Sequence, residues 1–351
     1  MSTYVVTGAT GFIGSALTRR LLTEGHNVRQ VARAPSAALA THERASTHVA
    51  SLGDPNALAE IARGAQVLYH CAGEHSARAP REAYAWINVA GTENVLNAAR
   101  HVGVARVIHL SCADATLIDG DRMNWKESHA MAEQPLDALC RSKLLAEELA
   151  AQASDHNLQV SVLRPAWVWG PGDRRTLPVL CREDQRGRVQ LCGGGDNLLP
   201  TVYVDNLLHA LRLADQEDRA AALAGKVFHV LDAEVHTAQE FIGALCRSLG
   251  LRAPARGVYG LSYLRAWLNE RLGLPGLARC EVVRRGRSAL FDGMAAANEL
   301  GYAAQVSLDQ GMQALAAWAS VVGGRDAIAR LARPAATRGD VEALIRIADA
   351  T

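Results

Sequence analysis

The chain opens with a short apolar segment, residues 5–7 (VVT), that leads directly into three glycines, Gly8, Gly11 and Gly14. Apolar residues at helical spacing follow, so the pattern predicts a strand, a tight turn and an amphipathic helix. Residues without a Cβ atom are needed there to make the turn, to let a phosphate approach the main chain, and to pack the helix on the strand. Free N–H groups at the helix start favour the phosphates of a dinucleotide, although such a turn can also bind nothing.

Apolar strands and amphipathic helices alternate along the first half of the chain, which predicts an α/β fold. The expected architecture is a Rossmann doubly wound parallel sheet with a smaller C-terminal substrate-binding region. We expect a dinucleotide-binding domain at residues 1–172, with late strands returning from 200–232. The mainly substrate-binding region is expected at 173–330, and a helical tail at 331–351.

The composition excludes several classes of partner. Lysine and arginine total 37 against 36 aspartate and glutamate residues in 351, so no large basic field points to nucleic acid or an anionic membrane. Seven cysteines without CxxC spacing favour reduced thiols and no metal site. No run has the apolar length of a membrane span, and no leader precedes the first strand. We therefore expect a cytoplasmic protein with a small-molecule substrate.

The end of the second predicted strand carries information about the cofactor. An acidic residue at this point normally accepts hydrogen bonds from the adenosine ribose, whereas this chain has Ala32 and Arg33. A guanidinium complements the 2′-phosphate of NADP(H), so the sequence favours NADP(H) over NAD(H). The alternative is that Arg33 is simply a solvated arginine at a strand end.

Five motifs occur in a fixed order along the chain. They are residues 7–14 (TGATGFIG), 88–92 (NVAGT), 141–143 (RSK), 163–165 with 169–172 (LRP and WGPG), and 202–206 (VYVDN). From residue 1 to about 320 the chain resembles the extended short-chain dehydrogenases/reductases, the NAD-dependent epimerase/dehydratase superfamily. Within that superfamily it is most similar to the 3β-hydroxysteroid dehydrogenase and dihydroflavonol reductase-like branch.

The resemblance implies a set of residues around the dinucleotide. They are Gly8, Thr10, Gly11, Phe12, Ile13 and Gly14 at the pyrophosphate, Ser51 and Leu52 at the adenine, Ala72 and Gly73 at the ribose, Lys143 at the nicotinamide ribose, and Pro165 against the nicotinamide. The family also implies a possible homodimer through the helices predicted at 84–99 and 138–153.

The catalytic positions depart from the family. The resemblance implies a tyrosine four residues before the lysine, where this chain has Leu139. A leucine carries no proton, and losing a positioned acid or base typically costs about 10²–10⁴ in rate. The expected serine or threonine after the fourth strand is replaced by Cys112, with Ser111 one residue earlier. Of the three catalytic positions, Lys143 alone is secure.

Three explanations of this departure stay open. In the first, hydride transfer persists and another group supplies the proton; the candidates are Cys112, His75, Asp114, His129, Tyr84 and Lys143 itself. In the second, the scaffold performs a non-redox cyclisation, isomerisation or lyase reaction. In the third, the protein is a non-catalytic NADP(H)-binding sensor. We favour an atypical NADP(H)-dependent oxidoreductase with a role in biosynthesis.

The substrate is expected to be hydrophobic or aromatic, with a carbonyl or alcohol as the reacting group. By resemblance, Trp125, Trp167 and Trp169 lie in segments that wall the space over the nicotinamide, although tryptophans in such loops can equally belong to the core. Trp125, Trp167 and Leu139 are the residues expected at the substrate. Members that act on nucleotide sugars carry an arginine before the late strand, but residues 197–201 here read NLLPT. The loop arginines at 174, 175, 186 and 188 keep an acidic substrate possible.

Overall fold

The computed structural model describes residues 1–129, 135–331, 337 and 339, and within these ranges a parallel sheet of seven strands forms the centre of the molecule. Its strands, numbered in chain order, are β1 (Thr3–Thr7), β2 (Asn27–Ala32), β3 (Ala45–Val49), β4 (Val67–His70), β5 (Arg106–Leu110), β7 (Gln159–Pro165) and β11 (Val227–Val230). Six further described strands lie outside this sheet: β6 (Arg122–Trp125), β8 (Trp167–Trp169), β9 (Leu198–Leu199), β10 (Thr201–Tyr203), β12 (His236–Thr237) and β13 (Ala289–Phe291).

The helices surround this sheet. They are α1 (Phe12–Thr23), α2 (Pro55–Ala62), α3 (Arg81–Tyr84), α4 (Gly91–His101), α5 (Ala138–Gln152), α6 (Thr176–Gln185), α7 (Val204–Ala214), α8 (Glu217–Leu223), α9 (Ala238–Ser248), α10 (Tyr259–Leu272), α11 (Arg279–Gly286), α12 (Leu308–Val321) and α13 (Gly324–Ala329). A π-helical segment, Ala85–Ala90, joins α3 to α4.

The strand order across the sheet is β3-β2-β1-β4-β5-β7-β11. β1 is the third of the seven strands and pairs in parallel with both β2 and β4, so that Tyr4 stands opposite Val28 on one side and Val67 on the other. The predicted doubly wound α/β fold is therefore confirmed. The order reverses beside β1, and ligands in such sheets bind at this point, beyond the carboxyl ends of the strands.

Two apolar cores cover the two faces of the sheet. One contains Leu17 of α1 and Leu207 of α7, while the other contains Leu58 of α2 and Leu96 of α4. The inner strands are buried along almost their whole length, as all four residues of β4 are. This explains why these strands read as continuous apolar runs, since a parallel sheet is covered on both faces.

A buried ion pair fixes α5 against the sheet. The Arg164 Nε atom of β7 lies 2.8 Å from Oε2 and 3.0 Å from Oε1 of Glu147 on α5, and both side chains are almost fully buried. Glu147 lies one helical turn after Lys143, and residues four apart share a helix face. The pair therefore helps to orient the face of α5 that carries Lys143.

Helices α10 and α11, together called the cap below, lie over the sheet's carboxyl edge. Cys280 and Val283 of α11 pack against Cys140 of α5 and against Leu117, which follows β5. The chain therefore returns, late in its sequence, to cover the region of the predicted site. The helical tail predicted from residue 331 onward lies almost entirely outside the described residues.

Candidate active site

The glycine-rich turn has the geometry that the sequence predicts. Gly8 has φ +67°, and a Cβ atom there would lie 2.7 Å from the backbone nitrogen of Ala72. The Gly11 N–H donates to the Gly8 carbonyl at 2.8 Å, and α1 begins at the next residue without a side chain capping its first turn. Uncapped N–H groups at a helix start suit a phosphate, so the turn fits the pyrophosphate of a dinucleotide.

Two arginines add positive charge beside this turn. Arg174 Nη1 donates to the Thr10 carbonyl at 3.3 Å. Burial, and then the charge of Arg174, lower the pKa of the Arg19 guanidinium on α1. The two guanidinium groups therefore repel one another until an anion lies between or beside them, which supports phosphate binding. The sequence pattern assigns neither of them a part in phosphate binding.

The residues predicted to lie near the adenosine part of the cofactor follow strands β2 and β3. Arg33 is exposed and comes directly after β2, whereas Ser51 and Leu52 follow β3. The Ser51 Oγ accepts a hydrogen bond from the Gly53 N–H at 3.0 Å. Leu52 is buried against Gly91, where a Cβ atom would approach its side chain to 3.0 Å. Their contacts with a cofactor stay a prediction.

Lys143 and His75 meet beyond the end of β4. Lys143 is only 3% exposed, and its Nζ lies 3.3 Å from Nε2 of the half-buried His75. A Cβ atom on Gly73 would lie 2.7 Å from the same Nζ, so the lysine reaches this position because residue 73 has no side chain. The three residues come from two distant segments, which the sheet brings together.

The loop that carries His75 is held from two sides. Asn88, in the π-helical segment, accepts from the Glu74 N–H at 2.7 Å and donates to the Glu74 carbonyl at 3.1 Å. On the other side, Arg78 donates to the carbonyls of Leu274 and Gly276 between the cap helices, at 2.9 and 3.0 Å. π-Helical segments are frequent at functional sites. Asn88 lies in one of the five motifs, but its role emerges only from the structure.

The environment of Lys143 favours loss of its proton. Burial lowers the pKa of its ammonium, and the charge of Arg175 acts in the same direction, while Cys112 and Glu74 oppose the shift. Burial raises the pKa of the Cys112 thiol, against the charge of Lys143. A thiol with a raised pKa stays protonated at neutral pH, so Cys112 is less suited than Lys143 to exchange a proton there.

Of the three tryptophans predicted at the substrate side, Trp169 is fully buried in the apolar core, where its Nε1 donates to Asp232 Oδ2 at 3.0 Å. Trp125 and Trp167 lie in different surroundings. Trp167 donates through Nε1 to Thr176 Oγ1 at 2.9 Å, and the guanidinium groups of Arg284 and Arg285 lie 5.4 and 5.7 Å from its ring centre. Trp125 is in β6, packs against Phe291 and nearby apolar side chains, and stacks on a histidine ring. Pro165 is buried at the end of β7. Trp167 thus lies in a charged part of the cleft.

This arrangement matches a known family. The model of the 3-beta hydroxysteroid dehydrogenase/isomerase family matches residues 5–260, well over half of the chain. The chain belongs to this family. It is an extended short-chain dehydrogenase/reductase, as the five motifs predict, and its scaffold is that of an oxidoreductase which binds a nicotinamide dinucleotide.

Two curated relatives and one solved structure illustrate this membership. The chain is 28% identical over 330 residues to a 2-alkyl-3-oxoalkanoate reductase of Stenotrophomonas maltophilia (strain K279a), covering 89% of this chain and 98% of the relative. It is 31% identical over 320 residues to a 4-hydroxy-2-methyl-3-oxo-4-farnesyl-3,4-dihydroquinoline-1-oxide ketoreductase of Stigmatella aurantiaca, covering 88% and 94%. The structure of MoeE5 with UDP-glucuronic acid and NAD has a TM-score of 0.72 and 26% identity, covering 91% and 99%.

In this 3-beta hydroxysteroid dehydrogenase/isomerase family member, Leu139 and Cys112 stand where the resemblance implies a tyrosine and a hydroxyl, and Ser111 is the hydroxyl beside Cys112. Leu139 is half-buried in the first turn of α5, one turn before Lys143. Ser111 follows β5 and is buried, and its Oγ has no hydrogen-bond partner among the described residues. Leu139 and Lys143 are thus neighbours on the same helix. The Ser111 hydroxyl is unusual, because nearly all buried polar groups have a hydrogen-bond partner.

The other candidate proton donors are engaged elsewhere. The Tyr84 phenol donates to the Ser76 carbonyl at 2.6 Å, and burial raises its pKa. Asp114 is paired with Arg284 at 3.0 Å. His129 accepts from the Lys126 N–H at 2.8 Å. Of the candidates, the structure therefore brings only His75 into hydrogen-bonding distance of Lys143.

The described part of the chain contains neither a metal cluster nor a membrane-spanning helix. No group of three or more histidine, cysteine, aspartate or glutamate side chains is arranged there to hold a metal ion. Among the described helices, none has both the length and the apolar character that a bilayer crossing requires. All seven cysteines carry free thiols.

Proposed function

We propose that the chain is an NADP(H)-dependent reductase of a hydrophobic carbonyl compound in which Lys143 and His75 replace the missing phenol. The observation that carries the proposal is the 3.3 Å contact between the buried Lys143 Nζ and the half-exposed His75 Nε2. The names of two relatives, an oxoalkanoate reductase and a ketoreductase, support a ketone as the reacting group.

The proton is carried by these two side chains. The glycine turn at Gly8 and Lys143 would hold a nicotinamide dinucleotide, which would supply a hydride for the carbonyl carbon. The Lys143 ammonium, whose pKa burial lowers, gives its proton to the carbonyl oxygen, so that the ketone becomes an alcohol. The half-exposed imidazole of His75 then takes a proton from solvent and passes one from Nε2 to the neutral Lys143 amine, so that His75 ends as the neutral imidazole and Lys143 as the ammonium. Leu139 contributes an apolar surface and excludes water.

The preference for NADP(H) is assigned to Arg33. Its exposed position directly after β2 is where an acidic residue would otherwise bind the ribose, and a guanidinium binds a phosphate instead. Arg33→Ala should weaken NADPH binding about 10- to 100-fold and leave NADH binding nearly unchanged, because a charged hydrogen bond is lost only with the phosphate. Fluorescence titration with both cofactors measures this, and equal losses for the two would refute the assignment.

The proton relay is tested by His75→Phe. With NADPH and a panel of hydrophobic ketones, we expect a fall in kcat of about 10²-fold or more, a changed pH profile, and unaltered NADPH affinity. His101→Asn, at the exposed end of α4, is the control and should behave like the original chain. Lys143→Met should abolish turnover.

The outcomes separate the three explanations left open by the sequence. Consumption of NADPH that depends on both Lys143 and His75 supports the reductase. Tight NADPH binding without oxidation under any ketone would refute it and favour a non-redox reaction or a sensor. Turnover that His75→Phe leaves unchanged would retain the reductase but refute the relay.

A further inference from the structure

Helix α10 of the cap carries a row of leucines that reach solvent. The exposed fractions are 66% for Leu261, 51% for Leu264, 41% for Leu268 and 65% for Leu272. These residues are three or four positions apart, so they lie on one side of the helix, called the leucine face below. The helix is buried instead through Ala266 and Asn269. A continuous apolar row of this kind on a surface marks an interaction site.

Positive charge accompanies the leucine face. Arg265 is exposed and lies four residues after Leu261 and three before Leu268. Arg271 lies three residues after Leu268, and its guanidinium is 5.0 Å from the ring centre of Trp267, which is itself 36% exposed. Among the residues that the structure describes, no carboxylate lies within 4 Å of either guanidinium. Both charges are therefore available to a partner that covers the leucine face.

The whole segment around α10 has the same sign of charge. Residues 252–279 contain five arginines and no lysine, and their one acidic residue is Glu270. Glu270 is engaged, because its Oε2 accepts a hydrogen bond from Arg279 Nε at 2.7 Å. The near balance of 37 basic and 36 acidic residues in the complete chain thus hides a local excess of positive charge.

An anionic lipid surface matches both the leucines and the arginines. At the interface of a bilayer, leucine and tryptophan side chains enter the apolar region while arginines stay at the phosphates. α10 has 14 residues, too few to cross a bilayer, so it would lie along the surface. A second copy of the chain matches less well, because a two-fold interface would bring the same positive faces together.

We propose that the leucine face binds the surface of an anionic membrane. The cap that carries this face also covers the cleft, since Tyr263 of α10 packs against the apolar cluster that contains Leu117 and Cys140. Arg78, in the loop that carries His75, donates to the Leu274 carbonyl just after α10. Membrane binding would therefore place the cleft beside the lipid in which a hydrophobic ketone dissolves. The binding itself does not depend on the proposed reaction.

Co-sedimentation of the chain with lipid vesicles tests the inference. One set of vesicles is made of phosphatidylcholine alone, and the other of equal parts of phosphatidylcholine and phosphatidylglycerol. We expect binding to the mixed vesicles, little binding to the neutral ones, and a decrease in binding as the salt concentration rises. No binding to the mixed vesicles, or equal binding to both sets, would overturn the proposal.

Two double variants separate the apolar and the charged contributions. Leu264→Ser/Leu268→Ser should weaken binding to the mixed vesicles about 10-fold or more, because the lipid no longer buries two leucines. Arg265→Gln/Arg271→Gln should weaken it about 30-fold, from about fivefold for each arginine at an anionic surface. All four side chains are exposed, so the urea midpoint should change little and shows that both variants fold.

Matched controls remove the same kinds of side chain elsewhere. Val49→Ser/Val321→Ser deletes two apolar side chains, 58% and 86% exposed, at the ends of β3 and α12. Arg44→Gln/Arg63→Gln removes two exposed arginines before β3 and after α2. Both controls should bind vesicles like the original chain. Equal losses in the controls and in the variants of α10 would indicate unspecific adsorption and overturn the proposal.

Sedimentation velocity without lipid examines the competing occupant of the leucine face. We expect Leu264→Ser/Leu268→Ser to leave the mass of the sedimenting particle unchanged. A dimer that this variant dissociates, and that the Val49→Ser/Val321→Ser control keeps, would place a second copy on the leucine face and overturn membrane binding. None of these measurements uses turnover, so a failure of the proposed reaction is distinguished from a failure of membrane binding.

Discussion

Replacement of Gly8 by alanine tests whether the phosphate turn depends on the absence of a Cβ atom. Two costs combine at this position. The left-handed backbone, with φ +67°, disfavours a side chain by about 1–2 kcal/mol. In addition, the new Cβ would lie 2.7 to 2.8 Å from backbone atoms of Cys71 and Ala72, which cannot rotate away. Overpacking of this kind adds about 1–3 kcal/mol.

Gly64 offers a matched control for this substitution. It has φ +72°, and no atom lies within 4 Å of the position that a Cβ atom would occupy, so Gly64→Ala carries the backbone cost alone. We expect Gly64→Ala to lower the free energy of unfolding by about 1–2 kcal/mol and Gly8→Ala by about 2–5 kcal/mol. Urea denaturation measures both values.

The same pair of variants separates stability from binding. Gly8→Ala moves the chain at Ala72, beside the phosphate turn, so NADPH affinity should fall about 10-fold or more, the effect of losing one or two hydrogen bonds to a charged group. Gly64→Ala should bind NADPH normally, because Gly64 is exposed between α2 and β4. If the two variants lose equal stability and bind NADPH alike, the close approach at Gly8 has no energetic consequence and the reasoning fails.

Three further predictions concern the site and its support. In the double variant Leu139→Tyr/His75→Phe, steady-state kinetics should show part of the rate that His75→Phe alone loses, because a phenol then lies one turn from Lys143. A double variant as slow as His75→Phe would argue against this. Glu147→Gln should lower the free energy of unfolding by about 3–5 kcal/mol in urea denaturation, because it removes the carboxylate that balances the buried Arg164 charge, and replacing both by leucine and methionine should recover most of that loss; a loss within about 1 kcal/mol would contradict a buried ion pair. Burial lowers the pKa of His109 well below its usual value. Below about pH 6.5 the unfolded chain therefore binds a proton at His109 that the native state does not bind, and the free energy of unfolding decreases as the pH is lowered. His109→Phe should make that fall shallower by up to about 1.4 kcal/mol per pH unit in thermal or urea titrations, and an unchanged slope would refute this interpretation.

The local parts of the fold can be predicted from the sequence, because strand and glycine turn are encoded by neighbouring residues. The sequence pattern predicts neither strand β3 nor helix α10. Ala45–Val49 is a half-exposed edge strand with polar residues, so it lacks the apolar run of the inner strands. Tyr259–Leu272 carries exposed leucines and buries Ala266 and Asn269, so its apolar and polar residues do not separate into the buried and exposed faces that mark an amphipathic helix.

The site shows the same division between local and distant information. Lys143 can be found because it lies in a motif of consecutive residues. Its contact with His75 joins residues 68 positions apart, and the ion pair between Arg284 and Asp114 joins residues 170 apart. No rule of sequence spacing predicts such contacts, since they depend on the order of the strands in the sheet and on the packing of the late cap helices over the sheet's carboxyl edge.

Because Arg78 bonds to the turn between the cap helices, the two side chains of the proposed proton relay have different structural supports. Lys143 is on α5, which is bound to the sheet, whereas His75 is in a loop that is hydrogen-bonded to Leu274 and Gly276. A shift of the cap relative to the sheet should therefore change the distance between Lys143 Nζ and His75 Nε2. Natural variation in that remote turn could therefore retune the rate of the reaction without altering a single residue of the dinucleotide cleft.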